Sequence, residues 1–573
     1  MKSYQKILAV IALSGLCLSM AMASEGEVSA KKHKHKAEKT EEKAPCEACE
    51  AIKQLKEQVA AQQAEIDQLK GVQPVAPGTT DAAAQAAAAA AKQAADAAAA
   101  QAAAAQQQAA AAQAAAAGMQ TQVNAASQEA QKAQAEVGAL ENPPYIHYKG
   151  IEFYPGGYLA AETVWRQHAE QTDVLSSFNG IPFPSTPTAN MTEFRGTGRQ
   201  SRLAFKAIGH AGDAKITGYY EMDFLGAAPT ANENQSNSFT PRVRQAFGEM
   251  EWHDWSLTGG QAWSLLTLNK QGVDTLGWYN PDTIDAQYVV GFTFARLMTM
   301  RLAKSFDNKK VTAAFAIENS AYEQAGKVPS GVIYGGTGSG SLGNSNTYTD
   351  SLAPDLIGKV AFDPSFGHFE VKAVGRFLRD RVEATSTLPS SETNTSNTTL
   401  AGGFGVDAYV PVLHKKLIFV GTSLFGRGTA RYGDSSNVDF IYKPNGTIAP
   451  LQNLQAMGGI EVYPTPKLKV YFYGGDEYIG QANYGGGYGY GTGIVASNAS
   501  CFVKDSGSCS AEMRNLVQGV AGFWYDLHKG NYGTLKYGMQ YSYTHKQTWA
   551  DATGLAPTAN ENMAFTSLRY VLP

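Results

Sequence analysis

The chain divides into three stretches with different patterns of apolar and polar residues. Residues 1–23 hold one short apolar core, and residues 46–141 follow a helical period of three and four. Residues 145–573 alternate apolar and polar positions instead. A period of two places successive side chains on opposite faces of a β-strand. The pattern therefore predicts a helical segment followed by a long β-structure.

The alternation is clear in several segments of about ten residues, a length typical of membrane-spanning strands. In Lys215–Phe224, Ile216 and Tyr220 occupy one face, whereas Glu221 and Asp223 occupy the other. Strands that are apolar towards lipid and polar towards a lumen are typical of outer-membrane barrels. A soluble β-sandwich also alternates, but its strands are shorter, at about 5–6 residues. The same pattern recurs at 311–318, 369–377 and 535–544.

The connections between these segments are unequal in length. Short turns around Gly212 and Gly530 alternate with long tracts rich in Gly, Ser, Thr and Asn. Barrels show this arrangement, with short periplasmic turns and long outer loops. Some of the long loops are expected to fold into the pore, and the sequence does not indicate which. The long tracts are Ser176–Met191, Pro229–Thr240, Lys327–Ser351, Ala384–Thr399 and Tyr484–Ser510. The predicted interfacial aromatic girdle comprises Tyr219, Tyr220, Tyr471, Tyr473, Tyr541 and Tyr543.

The first 23 residues are predicted to be a secretion signal. Lys2 and Lys6 precede an apolar run of about 12 residues, and Ala21-Met22-Ala23 matches a small-x-small cleavage site. The run is too short to span a bilayer, which requires ~20 residues. Lipidation of Cys17 is not expected, because the bulky Leu16 precedes it where a lipoprotein signal has a small residue.

Residues 24–45 are predicted to be a charged, disordered lead, and residues 46–141 a helical coiled-coil stalk with a break near 71–80. Two seams with steps of three and four flank an Ala- and Gln-rich run, whose alanines strongly favour helix. The first seam alone suits a dimer as well as a trimer. The seam residues are Ile52, Leu55, Val59, Gln62, Ile66 and Leu69, and then Val123, Ala126, Ala130, Ala133, Val137 and Leu140.

Composition and cysteine spacing agree with export. Charged residues make up 17% of the chain, below the ~25% typical of soluble proteins. The net charge of -4 over 573 residues provides no general field for nucleic acid. Cys501 and Cys509 are predicted to form a disulfide that closes a loop. For Cys46 and Cys49 a link between neighbouring chains is favoured over a redox motif, because no thioredoxin-like βαβ pattern surrounds them.

Several short motifs stand out in residues 145–573. They are Arg199-Gln-Ser-Arg202-Leu, Tyr220-Glu-Met-Asp223-Phe, Gly260-Gln-Ala-Trp263-Ser, Pro281-Asp-Thr-Ile-Asp285 followed by Arg296 and Arg301, and Pro354-Asp355-Leu-Ile-Gly-Lys359. These motifs resemble those of the DcaP-type porins of the bacterial outer membrane. The resemblance implies a trimeric transmembrane antiparallel β-barrel of 16 strands, with 18 as the alternative, that passes small anionic solutes such as dicarboxylates. It also implies that the N-terminal helices form a periplasmic trimeric coiled coil.

Two features depart from that pattern. The stalk is unusually long and rich in alanine, and the chain ends on Pro573, whereas outer-membrane proteins generally end on an aromatic residue. The apolar positions Phe565, Leu568, Tyr570 and Leu572 are nevertheless predicted to form the closing strand.

No catalytic pattern stands out, so neither an enzyme nor a cofactor nor a metal site is expected. Strand parity turns Arg202 and Lys206 towards the lumen, and likewise Lys372 and Arg376, which are expected to project into water. A charge on the lipid face would cost ~2–4 kcal/mol near the midplane. Inward arginines and lysines favour anions, and inward carboxylates temper that preference. An equal alternative is that these charges only make a wet, ion-paired barrel interior without a solute site. The predicted pore-lining or solute-binding residues are Arg202, Lys206, Glu221, Asp223, Arg242, Arg244, Arg296, Arg301, Lys372 and Arg376.

Two functional hypotheses follow from these patterns. The first is an outer-membrane porin, with its stalk in the periplasm, through which small anionic solutes diffuse passively. The second is a structural protein whose stalk ties the outer membrane to peptidoglycan. Both place the barrel in outer-membrane lipid as a homotrimer.

Overall fold

The computed structural model describes residues 82–141, 145–226, 239–340, 343–383, 395–491 and 497–573, and before them residues 57, 60, 61 and 64. The chain separates into two compact units, Met1–Leu140 and Glu141–Pro573. The predicted signal and charged lead lie outside the described residues. So do the first seam, the predicted break at 71–80 and the cysteine pair at 46 and 49.

A single long helix, α1, runs from Ala82 to Glu141. Alanine is the best helix former, so local propensity accounts for this element. At 1.5 Å per residue its length is about 90 Å. The side chains of Met119 and Val123 are more than half exposed on this helix, and the predicted coiled coil stays a prediction. Within the described residues, no helix is long and apolar enough to cross a membrane.

The second unit is a closed antiparallel β-barrel of 16 strands, which confirms the predicted fold class. The last strand pairs with the first, with Leu568 opposite Ala161, and this pairing closes the wall. The strands are β1 Ile151–Arg166, β2 Arg202–Ala211, β3 Ala214–Asp223, β4 Arg242–Trp252, β5 Trp255–Trp263, β6 Arg296–Phe306, β7 Val311–Glu318, β8 Asp355–Phe362, β9 His368–Val382, β10 Thr395–Val412, β11 Leu417–Arg427, β12 Gln452–Thr465, β13 Leu468–Ile479, β14 Met513–Gly530, β15 Gly533–Thr548 and β16 Thr558–Val571.

The connections differ at the two ends of the barrel, as the sequence predicted. Turns of a few residues join β2 to β3, β4 to β5 and every later pair of that series. These turns lie at one end of the barrel, here called the turn end. The start of β1 and the end of β16 lie at the same end. Long connections lie at the other, the loop end, and they include short hairpins such as Phe440–Tyr442 paired with Ile448–Pro450.

The alternation of faces follows the predicted parity in β3. Ile216 and Tyr220 are exposed on the outside, whereas Glu221 and Asp223 are buried inside. The segments 311–318, 369–377 and 535–544 alternate in the same way. Outward apolar and inward polar side chains therefore run along these strands.

The predicted aromatic girdle is partly wrong. Tyr471 and Tyr473 are buried inside the barrel, and the Tyr219 hydroxyl donates to inward-facing Glu221 at 3.0 Å. These tyrosines share the inward parity of the polar residues on their strands. Tyr220, Tyr541 and Tyr543 do face outwards. Exposed aromatic side chains also lie beside the short turns, at Trp252, Trp255, Phe306, Phe362 and Phe366.

The closing strand β16 forms without a terminal aromatic residue. Pro573 lies beyond Val571, where the strand ends, so the proline removes no hydrogen bond from the wall. The expected apolar face is corrected at one position. Phe565 is buried and faces inwards, whereas Leu568 and Tyr570 lie on the outward side.

Candidate functional site

One long connection folds into the barrel. The inner loop, residues 264–295 between β5 and β6, buries apolar side chains that include Leu268, Ile284, Val290 and Phe292. The resemblance motif at 281–285 lies in this segment. The sequence predicted that some long loop would fold inwards, and this connection was not among the tracts it singled out.

Side chains of the barrel wall hold the inner loop by its backbone. A buried N–H group needs an acceptor, and strands on several sides of the barrel supply one. The inner loop is therefore attached around the wall rather than at its two ends alone. The hydrogen bonds are Leu265 N to Glu318 at 2.8 Å, Asn269 N to Glu370 at 3.0 Å, Ile284 N to Gln540 at 2.6 Å, Val290 N to Gln518 at 2.9 Å and Gly291 N to Glu477 at 3.1 Å.

A second connection, residues 428–451, packs against the inner loop. Phe294 N donates to the carbonyl oxygen of Tyr432 at 2.9 Å, and Thr293 forms a bridge with Gly433. The Gln287 amide donates to the backbone oxygen of Asp434. The two connections together fill part of the barrel interior.

A cavity of about 370 Å³ remains beside the inner loop and is called the basic cavity. Its wall combines positive charge with aromatic rings and two carboxylates. Burial raises the pKa of the inner-loop Asp285 carboxyl. The cations are Arg202, Arg244, Lys270, Lys536 and Arg569, the aromatic residues are Tyr158, Trp278, Tyr288 and Trp524, and the carboxylates are Asp282 and Asp285.

Arginines on one side of the basic cavity are paired with acids. The Arg244 guanidinium contacts Glu221 at 2.6 Å and Asp223 at 2.9 Å, and it donates to the Tyr288 hydroxyl at 3.1 Å. Arg202 lies 3.6 Å from the same Glu221 carboxylate. Arg242 also contacts Asp223, at 2.8 Å. The structure therefore brings these predicted residues together, and the two carboxylates neutralise much of the positive charge of the arginines.

Two lysines on the other side are not compensated in this way. Lys536 lies with its Nζ 4.3 Å from the centre of the Trp524 ring, and Lys270 projects from the inner loop. Neither makes an ion pair with a carboxylate within the part of the chain that the structure describes. Arg569 stacks on Trp524 at 4.6 Å but is paired with Glu162 at 2.7 Å. The two lysines thus add positive charge that no ion pair among the described residues offsets, although the Asp282 carboxylate lines the same cavity.

The basic cavity adjoins a second space of about 540 Å³. Both are lined by Lys270 and Trp278. The second space is also lined by His253 and Asp254 of the β4–β5 turn and by Lys309 of the β6–β7 turn. It therefore extends from the basic cavity to the turn end of the barrel.

Lys372 and Arg376 do not face water, which corrects the expectation from parity. Lys372 Nζ contacts Asp407 at 2.7 Å and the inner-loop carbonyl of Leu266 at 2.7 Å. Arg376 is fully buried between Asp355 and Asp439, each at 3.1 Å. Both side chains do point inwards, but the two connections cover this part of the wall.

The remaining predicted residues lie apart from the basic cavity. Arg301 is buried and donates to the Trp263 carbonyl at 2.7 Å. The Arg296 guanidinium lies 5.1 Å from the Trp263 ring. Lys206 points inwards, and its Nζ lies 4.4 Å from the Tyr154 ring centre. These three cations are held by carbonyl or aromatic partners.

Three cations of the basic cavity were not among the residues predicted from the sequence. Lys536 lies on the polar face of the 535–544 alternation, so its parity alone was a usable signal. Arg569 has the same parity as buried Ser567 on β16. Lys270 lies in an irregular segment, where periodicity carries no information on direction.

Two further expectations concern cysteines and metals. Cys501 and Cys509 are joined by a disulfide, with their Cα atoms 4.6 Å apart, in the connection before β14. Across the described ranges, no group of three or more His, Cys, Asp or Glu side chains is arranged to hold a metal ion.

Comparison with known proteins supports the fold. No protein-family profile matches the chain, and no curated protein sequence matches it. The outer membrane channel DcaP of Acinetobacter baumannii superposes with a TM-score of 0.53 at 15% identity, covering 75% of this chain and 99% of that one. Weaker superpositions are found with OprB of Pseudomonas putida (TM-score 0.42, 10% identity, 76% and 96% covered) and an anion-selective porin from Comamonas acidovorans (0.39, 8%, 74% and 100%). Only the first is close enough to support a shared fold, and it agrees with the resemblance in the motifs.

Proposed function

We propose that the protein is an outer-membrane porin through which small anionic solutes diffuse down their gradient. The observation that carries this proposal is the basic cavity, which lies inside a closed barrel beside an infolded loop. Lys270 and Lys536 line this cavity and make no ion pair with a carboxylate among the described residues. Fixed charges in a narrow passage are screened less than in bulk water, and inward cations favour anions. Dicarboxylates are the proposed solutes.

The outer surface supports a location in the outer membrane. Large apolar side chains are exposed along the wall, for example Phe205, Met300, Phe315 and Phe472. A closed barrel satisfies its backbone hydrogen bonds internally, which is what a lipid environment requires. The turn end would face the periplasm, because barrels carry short turns on that side.

The proposed function is tested by conductance of the full chain in a planar bilayer under a salt gradient. A porin gives steady, voltage-independent steps, and an anion preference gives a reversal potential of the corresponding sign. Small dicarboxylates should then carry current more readily than organic cations of equal size. A closed barrel with no conductance would overturn the porin proposal, and a cation-selective reversal potential would overturn its anion preference alone.

A homotrimer with a periplasmic stalk is proposed as the assembly. The support is the predicted pair of seams and the exposure of Met119 and Val123 along α1, since an apolar seam of a lone helix has nothing to pack against. Cross-linking the native protein should give a heat-sensitive trimer. Deleting residues 24–141 should leave a folded barrel, because its hydrogen bonds close on themselves.

A structural role is the second candidate, and the length of α1 favours it. A helix of about 90 Å is roughly twice as long as a bilayer is thick, a length that suits a tether to peptidoglycan. Sedimentation of the full chain with purified peptidoglycan tests this role. Binding that disappears when residues 24–141 are deleted would support it, and equal binding by both forms would contradict it.

A further inference from the structure

Arginines face outwards near the loop end of the barrel. On β9 the inward positions Leu378 and Asp380 are buried, so Arg379 and Arg381 lie on the outer face. Arg427, at the end of β11, pairs with Gly402 on the outward side of β10. These three arginines, called the outer arginines, lie on strands separated by β10 alone.

Most of this positive charge makes no ion pair among the described residues. Arg381 lies 3.3 Å from the Glu383 carboxylate, and both side chains are nearly half exposed. Arg379 and Arg427 make no ion pair with any carboxylate that the structure describes. An outward charge is unfavourable in the hydrocarbon but tolerated at the interface, so the outer arginines mark the level of the lipid headgroups.

An apolar groove of about 450 Å³ adjoins Arg427 on the outer surface. Its sides are Leu400, Phe404 and Phe425, and the first two are 72% and 61% exposed. The two phenylalanine rings lie 5.9 Å apart, edge to face. The bottom of the groove at Gly402 is backbone without a side chain. A Cβ at this position would lie 2.4 Å from the carbonyl oxygen of Val374, which is too close for any other residue. The groove therefore presents rings and backbone to whatever lies against it.

We propose that the groove and the outer arginines together bind a phosphorylated glycolipid of the outer leaflet, lipopolysaccharide. Guanidinium groups bind phosphate through paired hydrogen bonds, which lysine does not provide. The groove is apolar, and an acyl chain, which has no hydrogen-bonding group, fits such a surface. The charge at headgroup level and the groove beside it match the two parts of such a lipid. The proposal goes beyond solute transport, and it uses no residue of the basic cavity.

The test measures lipid retained by the full-length protein. Purified protein in detergent is mixed with lipopolysaccharide, separated from the excess by gel filtration, and analysed for bound lipid by mass spectrometry. The variants are R379Q/R427Q and the charge-retaining R379K/R427K. The matched control is K304Q, because Lys304 also faces outwards but lies near the turn end. A parallel sample uses phosphatidylglycerol, which carries a single phosphate.

The expected result is that R379Q/R427Q retains at least fivefold less lipopolysaccharide than the wild type, with K304Q unchanged and R379K/R427K intermediate. Phosphatidylglycerol should be retained less than lipopolysaccharide by the wild type. Equal retention of lipopolysaccharide by the wild type and R379Q/R427Q would overturn the proposal. Equal retention of both lipids by the wild type would also overturn it, since general attraction to anions would then suffice.

Two further measurements keep the test independent of folding and of the pore. The single variant R427Q should reduce retention in the same direction, and heat-dependent gel mobility shows whether each barrel is folded. The reversal potential of R379Q/R427Q should equal that of the wild type. Cysteine cross-linking at Leu400 between copies of the chain would show instead that a second copy covers the groove, and that result would overturn the proposal.

Discussion

Arg376 and Asp355 form an ion pair between the neighbouring strands β9 and β8, with 3.1 Å between Nε and Oδ2 and neither side chain exposed. Asp439 of the second connection completes the pair on the other side of the guanidinium. Replacing Arg376 with methionine would leave the buried Asp439 carboxylate without its cation, and Asp355 with only Arg431, 3.6 Å away. Breaking a buried pair in this way costs roughly 3–5 kcal/mol.

We therefore expect R376M to lower the free energy of unfolding by about that amount, measured by urea denaturation of the refolded barrel. The control is K310M, since Lys310 and Asp307 form an exposed pair at 3.5 Å and such pairs contribute ~0–1 kcal/mol. Equal stability of the two variants would contradict the role assigned to Arg376.

The basic cavity gives a prediction for ion selectivity. The variant K536E reverses one of its two uncompensated charges, so the reversal potential should move towards cations. A unit charge about 8 Å from a passing ion acts with about 2 kcal/mol at an effective dielectric constant of 20. Replacing a positive by a negative charge changes that energy by about twice as much, and the shift should be largest at low salt, where screening is weakest. K415E is the control, because Lys415 is exposed in the β10–β11 turn. A reversal potential that is the same in both variants would exclude Lys536 from the ion path.

These two predictions show how far the sequence reaches. Parity correctly turned Lys372 and Arg376 inwards and equally turned Lys536 inwards, since all three alternate with apolar neighbours. Parity did not distinguish Lys372 and Arg376, which the two connections cover, from Lys536, which lines the basic cavity. That distinction depends on the path of the inner loop, which is set by contacts such as Ile284 with Gln540, 256 positions apart.

The misplaced tyrosines have a related cause. Tyr473 and Tyr279 both hydrogen-bond to Glu461, at 2.8 Å and 2.7 Å. A tyrosine near a strand end fits a membrane interface as well as a polar interior, because its ring is apolar and its hydroxyl is polar. Tyr473 lies in the interior beside Tyr279, an inner-loop residue 194 positions away along the chain. Local sequence patterns do not reveal such a contact. The wall was thus predictable from periodicity, whereas the contents of the lumen were not.

The attachment of the inner loop can be tested at Gln540. Its side-chain oxygen accepts from Ile284 N at 2.6 Å and from the Tyr471 hydroxyl at 3.1 Å. The variant Q540A leaves a buried N–H without a partner, at a cost of about 1–3 kcal/mol. We expect faster hydrogen exchange in residues 279–286 and a noisier open-channel current.

The control for this variant is Q261A. Gln261 also bonds to backbone oxygens, at 3.1 Å and 3.2 Å, but from the outward face of β5. It should leave both the exchange and the current unchanged. If Q540A exchanges no faster than the wild type, the remaining anchors are sufficient without Gln540.

The loop-end connection before β16 gives a prediction of pH dependence. Asp551 accepts hydrogen bonds from the backbone N–H groups of Asn498, Thr553 and Leu555. These bonds, that from Asn498 foremost, lower the pKa of Asp551 to about 2. Because the folded pKa lies below the unfolded value of 3.8, the stabilisation is fully present above that value and is lost as the pH falls through about 2.

Hydrogen exchange at Asn498 and Leu555 should therefore accelerate as the pH is lowered below 3.8, once corrected for the intrinsic pH dependence of exchange. The variant D551N should show the faster corrected exchange at neutral pH as well and should lose this acid dependence. The same profile in D551N and the wild type would mean that another group titrates.

The inner loop is held by side chains of the wall that bind its backbone, at Leu265, Asn269, Ile284, Val290 and Gly291. A backbone N–H is present whichever residue occupies the position, proline excepted. Most mutations in residues 270–283 can therefore alter what the passage admits without detaching the loop. Exceptions include Tyr279 and Asp282, whose own side chains contact Glu461 and Lys469 of the wall. Such a division lets one conserved scaffold accept many loop sequences, so new permeant solutes can arise in evolution, or be introduced by grafting, through a segment of fourteen positions.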